Sequence, residues 1–132
     1  MKMGKDTYNC EDVARYEGLA FITESGSRYS IKDGRLHGRE ILEGALVRLV
    51  TGATPDEGWH FRSSVLPNEG YYGHATKEVK DYVRSIEKPV KKGLQLMIAF
   101  DDETAREYER HGFVTSPIQR IEKIKRSRKK RG

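Results

Sequence analysis

Cysteine is nearly absent from this chain, which has only Cys10 among its 132 residues. A single cysteine cannot form a disulfide within the chain, and it cannot supply a zinc site built from several thiolates. Long apolar runs are also missing. None approaches the ~20 residues that span a bilayer, and the polar start lacks the apolar segment of a secretion signal. We therefore expect a cytoplasmic protein, or a nuclear one in a eukaryotic host, with no membrane partner.

Apolar residues are scarce as well, because they make up 36% of the chain and charged residues make up 34%. A domain of this length can still bury somewhat under ~70% of the surface that it exposes when unfolded, which suffices for one core. The composition predicts a single domain over residues 1–124 with a modest core, together with a solvated fraction outside it.

Positive charge is distributed unevenly along the chain. The net charge is +5, yet residues 120–132 hold eight Lys or Arg and one Glu, which gives this end +7 and leaves −2 for residues 1–119. Residues 125–132 have no apolar periodicity and are predicted to form a basic tail that is disordered until it binds. This division is typical of a folded body with a polyanion-binding arm.

The longest nearly uninterrupted apolar run is Gly-Leu-Gln-Leu-Met-Ile-Ala-Phe at residues 93–100. Its even-numbered residues share one wholly apolar face at the strand period of two, and its odd-numbered residues share a half-polar face. The run predicts a central strand in a sheet that is packed on one side and partly covered on the other.

Three short strands are predicted before this run. Residues 19–23 and 28–32 are β-rich and flank a turn at Gly26, which is typical of a hairpin. Asp33-Gly34 is a second turn signal, which predicts that residues 35–37 fold back as a third strand.

The middle of the chain is harder to interpret. Residues 41–50 fit both helical and strand spacing, but Gly44 would cost a helix about 1 kcal/mol, so we favour a strand over residues 45–51. Residues 51–58 are rich in residues that break regular structure and predict a loop. The alternation that begins at Trp59 then predicts a strand over residues 59–65.

Helical spacing is clearest after Thr76, which is predicted to cap a helix that begins at Lys77. Pro89 and Gly93 follow this helix and end it. A short helix over residues 103–110 is predicted after the apolar run, with an aspartate as its cap. Residues 113–116 then predict a last strand beside residues 94–100, and Pro117 confines its end to a sheet edge or a bend.

These patterns together predict an α+β fold, namely a small antiparallel sheet or open barrel of about five to seven strands with one main packed helix. The segments Thr23-Glu24-Ser25-Gly26-Ser27-Arg28-Tyr29 and Thr115-Ser116-Pro117-Ile118 resemble a group of small uncharacterised proteins of bacteria and their phages. In that group a Ser-Gly-Ser-x-Tyr hairpin and a terminal Thr-Ser-Pro strand bracket a β-rich domain. The resemblance implies a β-rich fold and no particular function.

The basic tail is the strongest functional signal. Lys and Arg side chains release counterions from a phosphate backbone, so the tail would bind RNA or DNA tightly at low salt and without sequence preference. Base stacking would need exposed aromatic rings. The alternative is that the aromatic rings are structural and close one end of the core. Tyr71 and Tyr72 are the first candidates, followed by Tyr29 and Trp59. The predicted nucleic-acid-binding residues are Lys123, Lys125, Arg126, Arg128, Lys129, Lys130, Arg131, Tyr71 and Tyr72. A solubilising end and a nuclear-import signal are alternative interpretations of the tail.

Catalytic signals are weak. The four histidines are scattered without metal-site spacing, and no phosphate-binding glycine loop is present. Asp56, Glu78 and Lys80 have the order of a metal-dependent nuclease triad. However, Glu78 and Lys80 would face different sides of the predicted helix, because residues two apart do not share a helix face. No catalytic residue, metal site or cofactor is predicted.

The sequence therefore predicts a non-enzymatic nucleic-acid-associated protein. The alternative is a protein-interaction module, such as an assembly or inhibitory factor of a phage or mobile element, that binds an acidic partner. A small metal-dependent nuclease is the third hypothesis.

Overall fold

A computed structural model describes residues 13–63 and 72–124, and in the helix that begins at residue 72 it describes side chains from Lys77 onward. Six strands form one antiparallel sheet in the order β3-β2-β1-β6-β5-β4, and this sheet curls into a half-barrel. The strands are β1 Leu19–Thr23, β2 Arg28–Lys32, β3 Arg35–His37, β4 Leu49–Ala53, β5 Gln95–Ala99 and β6 Gly112–Lys123. The predicted α+β fold with an open antiparallel sheet is confirmed.

The described residues contain three α-helices, whereas two were predicted, namely the main helix that begins at Lys77 and the short helix over residues 103–110. The three helices are α1 Pro55–Arg62, α2 Tyr72–Ile86 and α3 Asp102–Tyr108. Single 3₁₀ turns lie at Val13–Tyr16 and Glu40–Leu42. No helix in these described ranges is long and apolar enough to cross a membrane.

The meander of β1, β2 and β3 follows the prediction. Phe21 pairs with Tyr29 across the hairpin, and Gly26 has the positive φ of +91° that its turn requires. Asp33 and Gly34 have φ values of 55° and 73°, the left-handed pair that joins two antiparallel strands tightly. The Glu17 carboxylate accepts hydrogen bonds from both of their N–H groups, at 2.8 and 2.7 Å.

Residues 93–100 contain β5, which is an interior strand with a neighbour on each side, as predicted for a central strand. Strand β6 lies next to it, and β6 and β1 are the two middle strands of the sheet. The first half of β6 pairs with β5 and its second half pairs with β1. The predicted end of β6 at residue 116 is wrong, because this 12-residue strand continues through Pro117 to Lys123. Pro117 is tolerated inside the strand because the register of both neighbouring ladders shifts close to it. Its carbonyl still accepts a hydrogen bond from Glu24 N–H at 2.9 Å.

Two hydrophobic clusters cover the two faces of the sheet. The first contains Phe21, Ile31 and the even-numbered residues of β5, and the second contains Phe61, Val83 and Met97 beneath α1 and α2. Strand β5 is therefore buried on both faces, whereas its odd-numbered face was expected to be only partly covered.

Helix α1 contradicts the strand that was predicted over residues 59–65. Thr54 and Glu57 form a reciprocal capping box, and Pro55 occupies the first helical turn. These are strong helix-start signals, because they satisfy backbone N–H groups that the helix leaves unpaired. Phe61 is fully buried while Trp59 is 68% exposed, so the two side chains do not share a face as a strand would require.

The strand predicted over residues 45–51 also begins later than expected, at Leu49. Residues 45–47 instead follow the edge of β3, where Leu36 N–H donates to Ala45 O at 2.9 Å and Val47 N–H donates to Gly34 O at 2.7 Å. The chain thus passes from one edge of the curled sheet to the other before it enters β4.

The remaining two helices differ from the prediction mainly at their ends. Helix α2 begins at Tyr72 rather than Lys77, and it buries Val79 and Val83 as its spacing predicts. Helix α3 is capped by Asp101, whose side chain accepts a hydrogen bond from Thr104 N–H at 2.9 Å. It ends before Glu109, which adopts a left-handed conformation with a φ of 57°.

Candidate functional site

Most of the predicted nucleic-acid-binding residues lie outside the part of the chain that the structure describes. These are Lys125, Arg126, Arg128, Lys129, Lys130, Arg131 and Tyr71. Tyr72 is the first residue of α2, and its side chain is outside the described part as well. Lys123 is described, and it is exposed at the end of β6. The two further aromatic candidates differ, because Tyr29 is buried and Trp59 is exposed.

The end of β6 carries the first charges of the basic segment. Its residues from Arg120 to Lys123 are all exposed, and Ile124 N–H donates to Gly18 O at 2.8 Å. Arg120 Nε donates to Glu122 at 2.6 Å, and this hydrogen bond holds the pKa of Glu122 below its ordinary value. The only acid of residues 120–132 is therefore paired with a neighbouring arginine.

A cluster of arginines lies at the opposite end of β6. Arg39, Arg62 and Arg110 line a cavity of about 270 Å³ together with Phe113 and Val114, and we call this cavity the arginine cleft. Arg39 follows β3, Arg62 ends α1, and Arg110 lies between α3 and β6. Among the residues that the structure describes, no acid lines the cleft, so its described charged groups all have the same sign.

The loop that carries Arg39 is fixed by hydrogen bonds around Gly38. The Glu43 carboxylate accepts Gly38 N–H at 3.0 Å and contacts His37 Nδ1 at 2.5 Å. The Gly38 N–H is the main cause, and His37 a second cause, of the low pKa of Glu43. The ionised form of Glu43 is therefore favoured, and its carboxylate ties the end of this loop back to His37 and Gly38 at the start.

Arg39 lies against the aromatic wall of the arginine cleft. Its guanidinium carbon is 5.1 Å from the centroid of the Phe113 ring, a distance at which a cation is attracted to the ring face. Tyr29 packs edge-on against Phe113 at 5.1 Å and holds it in place. The Arg39 Nε atom is buried and has no hydrogen-bond partner within the described residues.

The electrostatics of the cleft are those of crowded cations. Burial lowers the pKa of Arg110, and the nearby charge of Arg39 lowers it further. Arginine nonetheless stays protonated in proteins, so these groups repel one another unless an anion lies between them. None of the three arginines forms an ion pair with any residue in the described ranges.

The position of the cleft follows from a split in the sheet. Residues 112–115 of β6 pair with β5 on one side, but β1 pairs with β6 only from Ile118 onward. The other side of this part of β6 therefore lacks a neighbouring strand, and Arg39 and Arg110 approach it from adjoining loops. The arginine cleft therefore lies beside the part of β6 that precedes its ladder with β1.

A larger cavity of about 460 Å³ is less suited to an anion. Its lining mixes two arginines with two glutamates and comprises Arg35, Leu46, Glu103, Thr104, Arg106 and Glu107. The acids offset the arginines, so this cavity does not concentrate charge of either sign.

Groups that could hold a metal ion are absent from the described residues. The three residues of the nuclease hypothesis lie on two helices, with Asp56 in the first turn of α1 and Glu78 and Lys80 two positions apart on α2. Burial lowers the pKa of His111, although the charge of Asp102 opposes this effect, and the imidazole is therefore favoured in its neutral form.

Sequence reasoning did not find the arginine cleft. Its three arginines come from three separate loops or helix ends, and no local spacing relates them. Comparison of the chain with protein-family models, with curated proteins and with solved structures found no match.

Proposed function

We propose that this protein is a non-enzymatic nucleic-acid-associated protein that contacts phosphate backbones through its basic C-terminal segment. The observation that carries this proposal is the separation of charge, with +7 in residues 120–132 and −2 in the rest of the chain. The exposed end of β6 supports it, because Arg120 and Lys123 lie at the surface where the basic segment begins.

The contacts would be independent of sequence. Lys and Arg side chains that meet phosphates release condensed counterions, and this gain does not depend on the bases. The residues that we assign to this role are Lys123, Lys125, Arg126, Arg128, Lys129, Lys130 and Arg131. The partner is RNA or DNA.

A salt titration tests the proposal. We expect the full chain to bind random duplex with an affinity that falls steeply with salt, with a log-log slope of about 0.9 per phosphate contacted. A chain that ends at Ile124 should keep its circular dichroism spectrum and lose most of this affinity.

A matched control separates charge from sequence order. A full-length variant with residues 125–131 shuffled keeps every charge and should bind like the original chain, whereas replacement of the six basic residues in this range by Gln should weaken binding as truncation does. Equal affinity of the full and truncated chains would contradict the proposal.

An acidic protein partner is the second candidate. Ile121 and Ile124 are 37% and 38% exposed beside the basic residues, and an apolar pair of this kind suits a protein surface better than a phosphate backbone. This candidate is favoured if the full chain ignores nucleic acid at low salt but captures one acidic protein, and if Ile121→Ser abolishes the capture.

A further inference from the structure

We propose that the arginine cleft binds the phosphate group of a nucleotide whose base stacks on Trp59. This site uses no residue of the C-terminal segment, so it is independent of the function proposed above. The ligand is either a free nucleotide or an unpaired nucleotide of a strand, because both present the same phosphate and base.

The cleft needs an anion. Arg39, Arg62 and Arg110 face one cavity, and no acid within residues 13–63 or 77–124 lines it. Buried polar groups in proteins are almost always hydrogen-bonded, yet the buried Arg39 Nε lacks a partner within the described residues. An anion in the cleft would relieve the repulsion between Arg39 and Arg110, and it would accept the Nε hydrogen bond once the Arg39 side chain turns toward it.

Phosphate fits the cleft better than carboxylate does. Guanidinium groups bind both anions through paired N–H donors, but a carboxylate has two oxygens and cannot engage three arginines fully. A phosphate offers three or four acceptor oxygens. The volume of about 270 Å³ lies slightly below the range of drug-sized pockets, which begins at about 300 Å³, and it suits a phosphate with part of a sugar.

Trp59 supplies the stacking surface. It precedes Arg62 by three residues on α1, so the two side chains leave the same face of the helix about one turn apart. Gly58 and Phe61 form the buried face of α1, whereas the Trp59 side chain is 68% exposed. Indole rings exposed beside phosphate-binding cations stack on bases of any sequence.

Intrinsic fluorescence gives a direct test, because Trp59 is the only tryptophan in the chain. Full-length protein is titrated with a nucleoside monophosphate, the corresponding nucleoside, inorganic phosphate, and a short single-stranded oligonucleotide with or without a 5′-phosphate. We expect saturable quenching by the nucleoside monophosphate and binding at least about tenfold weaker for the nucleoside, because it lacks the charge-assisted hydrogen bonds. Inorganic phosphate should compete without quenching.

Variants locate the site. Arg39→Gln, Arg62→Gln and Arg110→Gln should each weaken nucleotide binding about tenfold, the amount expected for one lost hydrogen bond between charged groups. Arg84→Gln removes the same charge from α2, where Arg84 pairs with Asp81. It should bind within about twofold of the original chain, since Arg84 does not line the cleft. Arg62 is exposed, so Arg62→Gln remains informative if either of the other two variants fails to fold.

The outcomes separate this site from the basic segment. A full-length chain with residues 125–131 neutralised to Gln and Ser should bind the mononucleotide unchanged, and loss of binding in that chain would overturn the proposal. Unaltered binding by all three arginine variants, or no quenching by any nucleotide, would also overturn it. The two ligands are compared in that neutralised chain, so that strand binding by the basic segment does not contribute. There, tighter binding of the mononucleotide than of the oligonucleotide identifies a free nucleotide as the ligand, and the reverse order identifies a strand; either supports the site.

Discussion

Gly38 controls how Arg39 approaches the arginine cleft. It has a φ of +113°, and a Cβ added there would collide with the backbone carbonyl of Arg28. Gly26 also has a positive φ, of +91°, but a Cβ added there would meet nothing within 4 Å. Alanine at Gly26 therefore introduces only the strain of a positive φ, whereas alanine at Gly38 introduces this strain and a steric clash.

We predict that Gly38→Ala destabilises the protein more than Gly26→Ala does. Positive φ alone should lower the free energy of unfolding by about 1 kcal/mol for Gly26→Ala, and the collision with Arg28 adds to this cost at Gly38. Urea denaturation of the two variants measures the difference. Equal losses would show that the loop before Arg39 moves freely enough to accept the methyl group.

Contacts between single residues that are far apart in the sequence were the hardest feature of this molecule to predict. The turns at Gly26 and at Asp33-Gly34 could be predicted, because a turn depends on a few adjacent residues. The three arginines of the cleft could not, because only the path of the whole chain brings Arg39 and Arg110 together. Nothing in the local sequence around either residue indicates that meeting.

At the level of elements, α1 shows which local signal prevails. The alternation from Trp59 onward predicted a strand, but Thr54-Pro55-Asp56-Glu57 contains a capping box and a proline at the helix start. These signals were visible in the sequence. They prevail because the cap satisfies backbone groups directly, whereas an alternation over a few residues also arises in a helix that buries only Gly58 and Phe61.

We predict that Thr54→Ala lowers the free energy of unfolding by about 1 kcal/mol, the usual cost of losing a helix cap. Thr54 Oγ1 accepts Glu57 N–H at 3.2 Å, and alanine leaves this N–H without its partner. Thr54→Ser keeps the hydroxyl and is the matched control. Urea denaturation of both variants tests this, and a Ser variant as unstable as the Ala variant would assign the loss to the methyl group instead.

The start of α1 should also make stability depend on pH. Burial of Glu57 opposes its ionisation, but hydrogen bonds from Lys88 at 2.9 Å and from Thr54 outweigh burial, and the pKa of Glu57 lies below its ordinary value. A carboxyl group with a lowered pKa in the folded state contributes stability that is present above its unfolded pKa. This contribution is lost as the pH falls through the folded value.

We therefore predict that Glu57→Gln destabilises the protein clearly near pH 7 and much less in acid. As the pH falls from the unfolded pKa of about 4.3 through the lower folded pKa, the original glutamate becomes protonated in the folded protein and loses the same interactions, so the two chains converge. Urea denaturation at several pH values measures the gap between them. A gap that stays constant down to about pH 3 would exclude this contribution of Glu57.

At the scale of the whole molecule, β6 joins the two halves of the sheet. Strands β1, β2 and β3 lie on one side of it, and β5 and β4 lie on the other. The first hydrophobic cluster takes Phe21 and Ile31 from one half and Leu96 and Ile98 from the other. Because the halves share this core, we expect neither to be stable alone and the described domain to unfold in one transition.

The expectation of a single unfolding transition can be tested at Thr115, which lies on β6 between the two halves of the sheet. Near the irregular register between β5 and β6, Leu96 N–H donates to Thr115 Oγ1 at 3.0 Å rather than to a backbone carbonyl, and both residues are buried. Thr115→Val keeps the shape of the side chain but removes this acceptor, so the free energy of unfolding should fall by about 1–3 kcal/mol.

Thr115→Ser retains the hydroxyl and should lose less stability than Thr115→Val. Circular dichroism follows the whole sheet, and Trp59 fluorescence follows α1. In Thr115→Val we expect both transitions to move together to lower urea with an unchanged slope, because β6 couples the two halves. Separate transitions for the two signals would mean that the halves on either side of β6 unfold independently. A Val variant as stable as the original chain would mean that the hydroxyl of Thr115 does not stabilise the pairing of β5 with β6.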